Sequence, residues 1–340
     1  MQASMERRKV HFLSSGTTCA AWHYPGTNGA CVIMAPGLAV TKEPGTDPFA
    51  AVLNEAGFTV LAFDYRRFGE SGGEPRQLMR IGEQLGDFHA AIEYAAGLPG
   101  VDCDKLAIWG FSLSGGHVFA VAARYPRLAA AIAHSPIADG PAATPNALRH
   151  QSPLAALRFA ARAARDAVGV RLGRRPLLVP LAGKRGTVTS LTTPDSLNGA
   201  SALNPDNCYP DWQQQVAASS ALRPGFYRPG RFARRIQCPL LVLVYDDDGV
   251  AVPGRAIRAA RRAPRGELAQ LPGGHYEAFL GGREQTAEVL LSFLRRHVLV
   301  AWERQAVELV GVGDQVDRGD APGGGCEADD DDRLAARRDD

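Results

Sequence analysis

The chain has no apolar run approaching about eighteen residues, so nothing in it predicts a membrane-spanning helix. The charged start, Met1 to Lys9, leads into no apolar segment, and no secretory signal is read there. No C-x-x-C pair occurs among the cysteines at 19, 31, 103, 208, 238 and 326. Their wide spacing argues against a zinc site or a disulfide framework and predicts reduced thiols in a cytoplasmic protein. No G-x-G-x-x-G turn opens the first strand, so a dinucleotide-binding loop is not expected. Glutamate is missing altogether from residues 139–235, where thirteen arginines and one lysine face five aspartates.

What is present is an ordinary globular balance, 45% hydrophobic and 22% charged over 340 residues, enough for one large α/β domain. The formal charge of +2 conceals a strong asymmetry. Residues 139–235 carry a net +9, whereas residues 311–340 carry ten acids against four arginines. Those last thirty residues, with a Gly-rich stretch and a four-Asp run, are too polar for a core and read as an acidic disordered tail. The basic segment reads first as a solvated helix face. Attraction to an anionic acyl substrate, carrier or surface is the sharper alternative. Arg158, Arg162 and Arg165 sit among alanines without aromatic interleaving, so nucleic acid is not an expected partner.

Short apolar runs alternate with helical patterns. Residues 30–35, 58–63, 105–109, 130–134 and 240–245 are apolar at most consecutive positions, as in strands of a parallel sheet covered on both faces. Residues 47–56, 85–96, 114–125 and 254–263 have helical periodicity. This alternation predicts a doubly wound α/β fold. It breaks near Asp139 and resumes near Ile236, around a segment of helices and Pro-rich loops containing ten prolines. The expected organisation is a core over 1–138, a helical cap insertion over 139–235, the rest of the core over 236–310, and the tail over 311–340.

One turn carries the chemistry. The apolar run ending at Gly110 meets a helix beginning just after Ser112, in the pattern Gly110-Phe-Ser112-Leu-Ser114-Gly115. A strand-to-helix corner this tight forces the serine into strained geometry and lifts its Oγ above the sheet, with small residues needed two positions to either side. A serine hydroxyl needs a base and an orienting acid. His275, in Pro272-Gly-Gly-His-Tyr after the short strand 267–271, is the best-placed of the eight histidines, the other seven reading as structural or solvated. For the acid, Tyr245-Asp-Asp-Asp248-Gly-Val-Ala-Val-Pro253 offers three candidates. Asp248, opening a D-x-V-x-x-P turn, is favoured over Asp246; Asp247 ranks last, and Asp139 is a secondary possibility. The oxyanion donors are expected at the N–H of Leu113, just after the serine, and of Leu38, in the loop after residue 35.

With these residues in place, the chain over roughly 10–300 resembles the α/β-hydrolase superfamily. More narrowly, it looks like the dienelactone hydrolase-like and polyketide transferase-like hydrolases of actinobacteria and fungi. Met34-Ala-Pro-Gly-Leu, Phe63-Asp-Tyr-Arg-Arg-Phe-Gly-Glu-Ser-Gly-Gly and Trp109-Gly-Phe-Ser-Leu-Ser-Gly-Gly-His carry the likeness, with Thr192-Thr-Pro-Asp and Tyr227-Arg-Pro-Gly-Arg in the insertion. The resemblance implies Ser112 as nucleophile, Asp248 as acid, His275 as base, a helical cap and no cofactor. The expected activity is cleavage of an ester or related acyl bond of a small-molecule substrate through an acyl-enzyme. The alternatives are an acyltransferase with the same first half-reaction, and a non-catalytic ligand-binding member of the fold. A carboxylate nucleophile, as in haloalkane dehalogenases, is disfavoured by the serine. The sequence leaves the oligomeric state open.

Overall fold

The computed structural model describes residues 7–299, and the expected acidic tail lies outside them. An eight-stranded sheet forms the centre, in the order β1-β2-β4-β3-β5-β6-β9-β10. The strands are β1 (Arg8–Ser14), β2 (Thr17–Tyr24), β3 (Cys31–Ala35), β4 (Thr59–Phe63), β5 (Leu106–Phe111), β6 (Ala130–His134), β9 (Leu240–Tyr245) and β10 (Gly266–Leu271). Strands β1 and β2 are antiparallel additions at one edge, and the pairs from β4 through β10 are parallel. Every residue of β3, β4, β5, β6 and β9 is buried, which is why these runs are apolar at consecutive positions instead of alternating.

Helices cover both faces: α1 (Lys42–Glu55), α2 (Ile81–Ala96), α3 (Leu113–Ala122), α8 (Gly254–Ala260) and α9 (Arg283–Leu294). All ten residues of α3 are buried, so the helix is built mostly of small and apolar residues, and its polar side chains Ser114 and His117 are hydrogen-bonded. Helix α1 starts five residues before the helical pattern read from the sequence. The fully buried Lys42 holds that first turn: its Nζ lies 2.9 Å from Asp64 Oδ2 and 2.6 Å from Glu70 Oε2. Burial alone would lower the Lys42 pKa, but these carboxylates outweigh it and hold the ammonium above its ordinary value.

The chain leaves the sheet after β6 and returns at β9. Between them lie α4 (Gly140–Arg149), α5 (Pro153–Arg171), α6 (Gly199–Leu203) and α7 (Ala218–Ala221). A small antiparallel sheet of β7 (Leu178–Pro180) and β8 (Gln215–Ala217), not anticipated from the Pro-rich sequence, ties this segment together. On α5, Arg158, Arg162, Arg165 and Arg171 are exposed, so these charges form a solvated helix face, while Asp166 is buried against Leu177 and Ser219. No described helix is long and apolar enough to cross a membrane.

The strand order reverses between β3 and β5, on either side of which the chain winds onto opposite faces. At such a switch point the loops beyond the strand C-termini part and leave a crevice. The loop after β3 and the corner after β5 both open there.

Candidate active site

Ser112 caps α3 with φ 58° and ψ −113°, a left-handed conformation that a non-glycine residue adopts only when its surroundings impose it. Three backbone bonds impose it here. The Ser112 N–H donates to the His134 carbonyl at 2.9 Å, and the Ser112 carbonyl accepts from Gly116 and Ile137, each at 3.1 Å. The corner has no room for side chains. A Cβ on Gly110 would stand 2.3 Å from the Ser114 carbonyl oxygen, and one on Gly115 would stand 2.7 Å from that of His134. The third small residue, Ser114, bonds through its hydroxyl to Tyr65 Oη at 2.8 Å and to the Pro36 carbonyl. Serine here therefore joins the corner to the loop after β3, which glycine could not do.

His275 follows β10 and is fully buried. Its Nε2 lies 2.9 Å from Ser112 Oγ, and its Nδ1 lies 2.7 Å from Asp248 Oδ2. The ring packs against Phe111 and Tyr276, with centroids 5.0 and 4.9 Å away. Asp248 is 5% exposed, and its other oxygen accepts the N–H of Val250 at 2.9 Å and of Ala251 at 2.7 Å. Those two bonds are what the D-x-V-x-x-P turn is for: they orient the carboxylate and leave Oδ2 for the imidazole. The other acid candidates point elsewhere. Asp246 and Asp247 are exposed, Asp246 accepting from Gln270, and Asp139 caps α4 and pairs with Arg228. The chain thus brings Ser112, His275 and Asp248 together and leaves Asp246, Asp247 and Asp139 apart.

Gly37 places the loop after β3 against the corner, since a Cβ on it would touch that of Ser112 at 3.4 Å. The next residue, Leu38, is buried, and no protein acceptor among the described residues takes its N–H. Leu113 is the first residue of α3, so its N–H belongs to the helix end whose donors have no intrahelical partner. Two N–H groups on either side of the serine suit an anionic oxygen.

One residue of this site was not singled out as functional by the sequence reading. Asp195, from the Thr192-Thr-Pro-Asp stretch of the insertion, accepts through Oδ2 the N–H of Gly249 at 2.9 Å and of His275 at 3.3 Å. It spans the loop carrying the acid and the loop carrying the base. Gly249 and Gly274 make room for it, as a Cβ on either would lie 2.9 or 3.2 Å from its side chain. Asn146 of α4 adds a 2.7 Å bond to the Gly249 carbonyl. Only the resemblance of Thr-Pro-Asp to relatives hinted at this, because nothing local shows which loops an insertion will touch.

A cavity of about 310 Å³ lies between the insertion and the sheet. Leu38, Ile137 and Val250 line it beside the serine, and Leu148, Phe159 and Leu191 line it from the insertion. Two further histidines are buried nearby. His117 bonds Tyr227 and Gln84, His134 lies under the corner, and burial pushes both down to about 3, aided at His134 by repulsion from His275. The one cluster of metal-ligand type among the described residues, Asp102-Cys103-Asp104, lies at the other end of β5. Cys19, Cys31, Cys208 and Cys238 are free thiols.

A doubly wound sheet with a strained serine on the corner after β5 defines an α/β-hydrolase, and the protein is a serine hydrolase. Residues 26–279 match the family described as serine aminopeptidase, S33, and the chain belongs to that family. It is similar to the quorum-quenching protein AidA of Acinetobacter baumannii, at 38% identity over 86% of this chain and 95% of that one. It is also similar to the polyketide transferase af380 of Aspergillus fumigatus, at 27% identity over 86% of this chain and 99% of that one. Among solved structures, the α/β hydrolase GrgF from a Penicillium species shares the fold, with a TM-score of 0.72 and 23% identity over 86% of this chain and 99% of that one.

Proposed function

We propose that this serine hydrolase cleaves a carboxylic ester or lactone bearing an apolar acyl group, through an acyl-enzyme formed on Ser112. The observation that carries the reading is the unbroken series Ser112 Oγ, His275, Asp248, at 2.9 and 2.7 Å. His275 Nε2 takes the hydroxyl proton as Oγ bonds to the substrate carbonyl carbon. The oxygen, now anionic, is held by the N–H groups of Leu38 and Leu113. The tetrahedral adduct collapses with loss of the alkoxide, which receives the proton from His275. Water then gives its proton to the same nitrogen, attacks the acyl carbon, and releases the carboxylic acid with Ser112 restored. Asp248 holds the imidazole in the tautomer with its proton on Nδ1 and stabilises the imidazolium that forms. Each oxyanion donor supplies about 3 kcal/mol by analogy with comparable sites.

The segment 139–235 acts as the cap that selects the substrate. The largely hydrocarbon lining it gives the cavity favours an acyl chain, each buried methylene contributing about 0.8 kcal/mol. The relative AidA is named a quorum-quenching protein, in keeping with a small signalling molecule as substrate. Purified protein tested on p-nitrophenyl esters of graded chain length, with Ser112→Ala alongside, examines the reading. Turnover that rises with chain length, together with fluorophosphonate labelling lost in Ser112→Ala, is expected. An ester hydrolysed equally by Ser112→Ala would refute it.

Acyl transfer is a second reading, favoured by the relatives named polyketide transferase and acyltransferase. Both reactions share the acyl-enzyme and differ in whether water or another nucleophile accepts the acyl group. Product analysis with and without an added alcohol or amine separates them.

A further inference from the structure

The loop after β3, which carries the Leu38 N–H, is held at both ends by the core. The Pro36 carbonyl accepts from the Ser114 hydroxyl, and the Lys42 N–H donates to Asp64 Oδ1 at 2.8 Å. Between these points the chain makes a four-residue turn, the Val40 N–H donating to the Gly37 carbonyl at 3.3 Å. The third residue of that turn, Ala39, has φ 54°. Turns usually give such a position to glycine or asparagine, because a Cβ makes the left-handed backbone costly. A strained residue of this kind keeps its conformation only where its surroundings hold it.

The hold comes from the insertion. Trp212, 6% exposed, reaches across from the segment after α6 and donates its indole Nε1–H to the Ala39 carbonyl at 2.8 Å. Its own place is fixed on both sides. The Tyr209 N–H donates to Asn204 Oδ1 at 2.7 Å, and the Trp212 N–H donates to the Tyr209 carbonyl at 3.2 Å. Beyond it, Gln77 Nε2 donates to the Gln213 and Gln215 carbonyls, at 3.2 and 2.9 Å. The Tyr209 hydroxyl ties the same segment to Asp47 of α1 at 3.2 Å. If Ala39 relaxed to an ordinary φ, the peptide groups on either side of it would rotate, and the N–H of Leu38, one residue earlier, would no longer be aimed beside Ser112.

We propose that Trp212 is a positioning residue for the oxyanion donor at Leu38, acting through the Ala39 carbonyl and touching no reacting atom. This rests on the acyl-ester reading above, in which the Leu38 N–H holds the anionic oxygen. That oxygen gains its charge only on the way to the tetrahedral adduct, so the indole acts on kcat and not on binding of the ester. The insertion thereby sets the geometry of the oxyanion loop as well as covering the cavity.

The test divides the indole between two variants. Trp212→Phe keeps a six-membered ring but has no N–H. Trp212→His loses that ring, but its Nε2 takes the same place in the five-membered ring as the indole nitrogen. The assay is turnover of an accepted p-nitrophenyl ester at about pH 8, where an ordinary imidazole is neutral. Trp212→Phe is expected to lose about tenfold to a hundredfold in kcat with KM within about twofold, less than outright loss of a donor would cost. Trp212→His should stay within about fivefold of the wild type in kcat, although its lost packing makes it the less stable of the two in urea. The inhibition constant of a trifluoromethyl ketone, whose carbonyl carbon bonds to Ser112 Oγ and leaves an anionic oxygen, should rise in Trp212→Phe by the factor that kcat/KM falls. A kcat that follows stability, with Trp212→His worse than Trp212→Phe, or a loss confined to KM, would overturn the proposal. Should Trp212→Phe not fold, Trp212→His decides: a larger loss of kcat than about fivefold overturns it. A wild type that neither hydrolyses esters nor labels with a fluorophosphonate would remove the hydrolytic reading and this proposal together. A wild type that does both, beside an unimpaired Trp212→Phe, would remove the proposal alone.

Discussion

Replacing Asp248 by asparagine changes one atom and should abolish most of the activity. The carboxylate makes three bonds: Oδ1 accepts from Val250 and Ala251 at 2.9 and 2.7 Å, and Oδ2 faces His275 Nδ1 at 2.7 Å. In Asp248→Asn the amide oxygen must stay with the two backbone donors, since turning the amide round would set its N–H group against theirs. The amide N–H then faces Nδ1, and two donors cannot share a bond. The imidazole responds by moving its proton to Nε2, where it points at Ser112 Oγ, 2.9 Å away. A ring protonated there cannot accept the serine proton. The wrong tautomer costs about 10⁴ in kcat, or roughly 5.5 kcal/mol of barrier. The assay is the rate of fluorophosphonate labelling together with kcat/KM on an accepted ester, with urea denaturation to verify the fold. Asp246→Asn, at an exposed carboxylate, should stay within about 0.5 kcal/mol of the wild type in stability and retain labelling. If Asp248→Asn kept activity within about tenfold, or Asp246→Asn lost as much, the assignment of the acid would be refuted.

Two further outcomes are expected. Asp195→Ala removes the acceptor shared by Gly249 and His275, loosening both loops; kcat should fall about tenfold to a hundredfold with little change in KM, and Asp195→Asn should recover much of it because the amide oxygen still accepts. A change confined to KM would sink that role. Stability should decline as pH falls from about 6.5 towards 3, because His117 and His134 stay neutral when folded down to about 3 while the unfolded imidazoles take up protons first. Urea midpoints at pH 7, 5 and 4 measure this, and His117→Gln should flatten the slope; an unchanged slope would mean that the buried imidazole is not its source.

Local sequence determined a great deal about this protein. Consecutive apolar residues placed the buried strands of the central sheet, because a strand covered on both faces has no polar side to show. Gly110, Ser112 and Gly115 marked the corner, because only small residues let strand and helix approach so closely. Asp248 and His275 were legible from the turns they open, each tied to the end of a strand. Other features were decided only when distant segments met. The choice of Asp248 over Asp246 came from which carboxylate is turned inward by the N–H groups of Val250 and Ala251. Asp195 looks like an ordinary loop residue until the insertion folds down over His275. Ser114 shows its second role only through Tyr65 and Pro36, far away in the chain. Periodicity and turn chemistry act over a few neighbouring residues, so the chain itself encodes them. A cavity wall, and the partner of a buried polar atom, depend on contacts between segments that share no local pattern, and those exist only in the folded molecule.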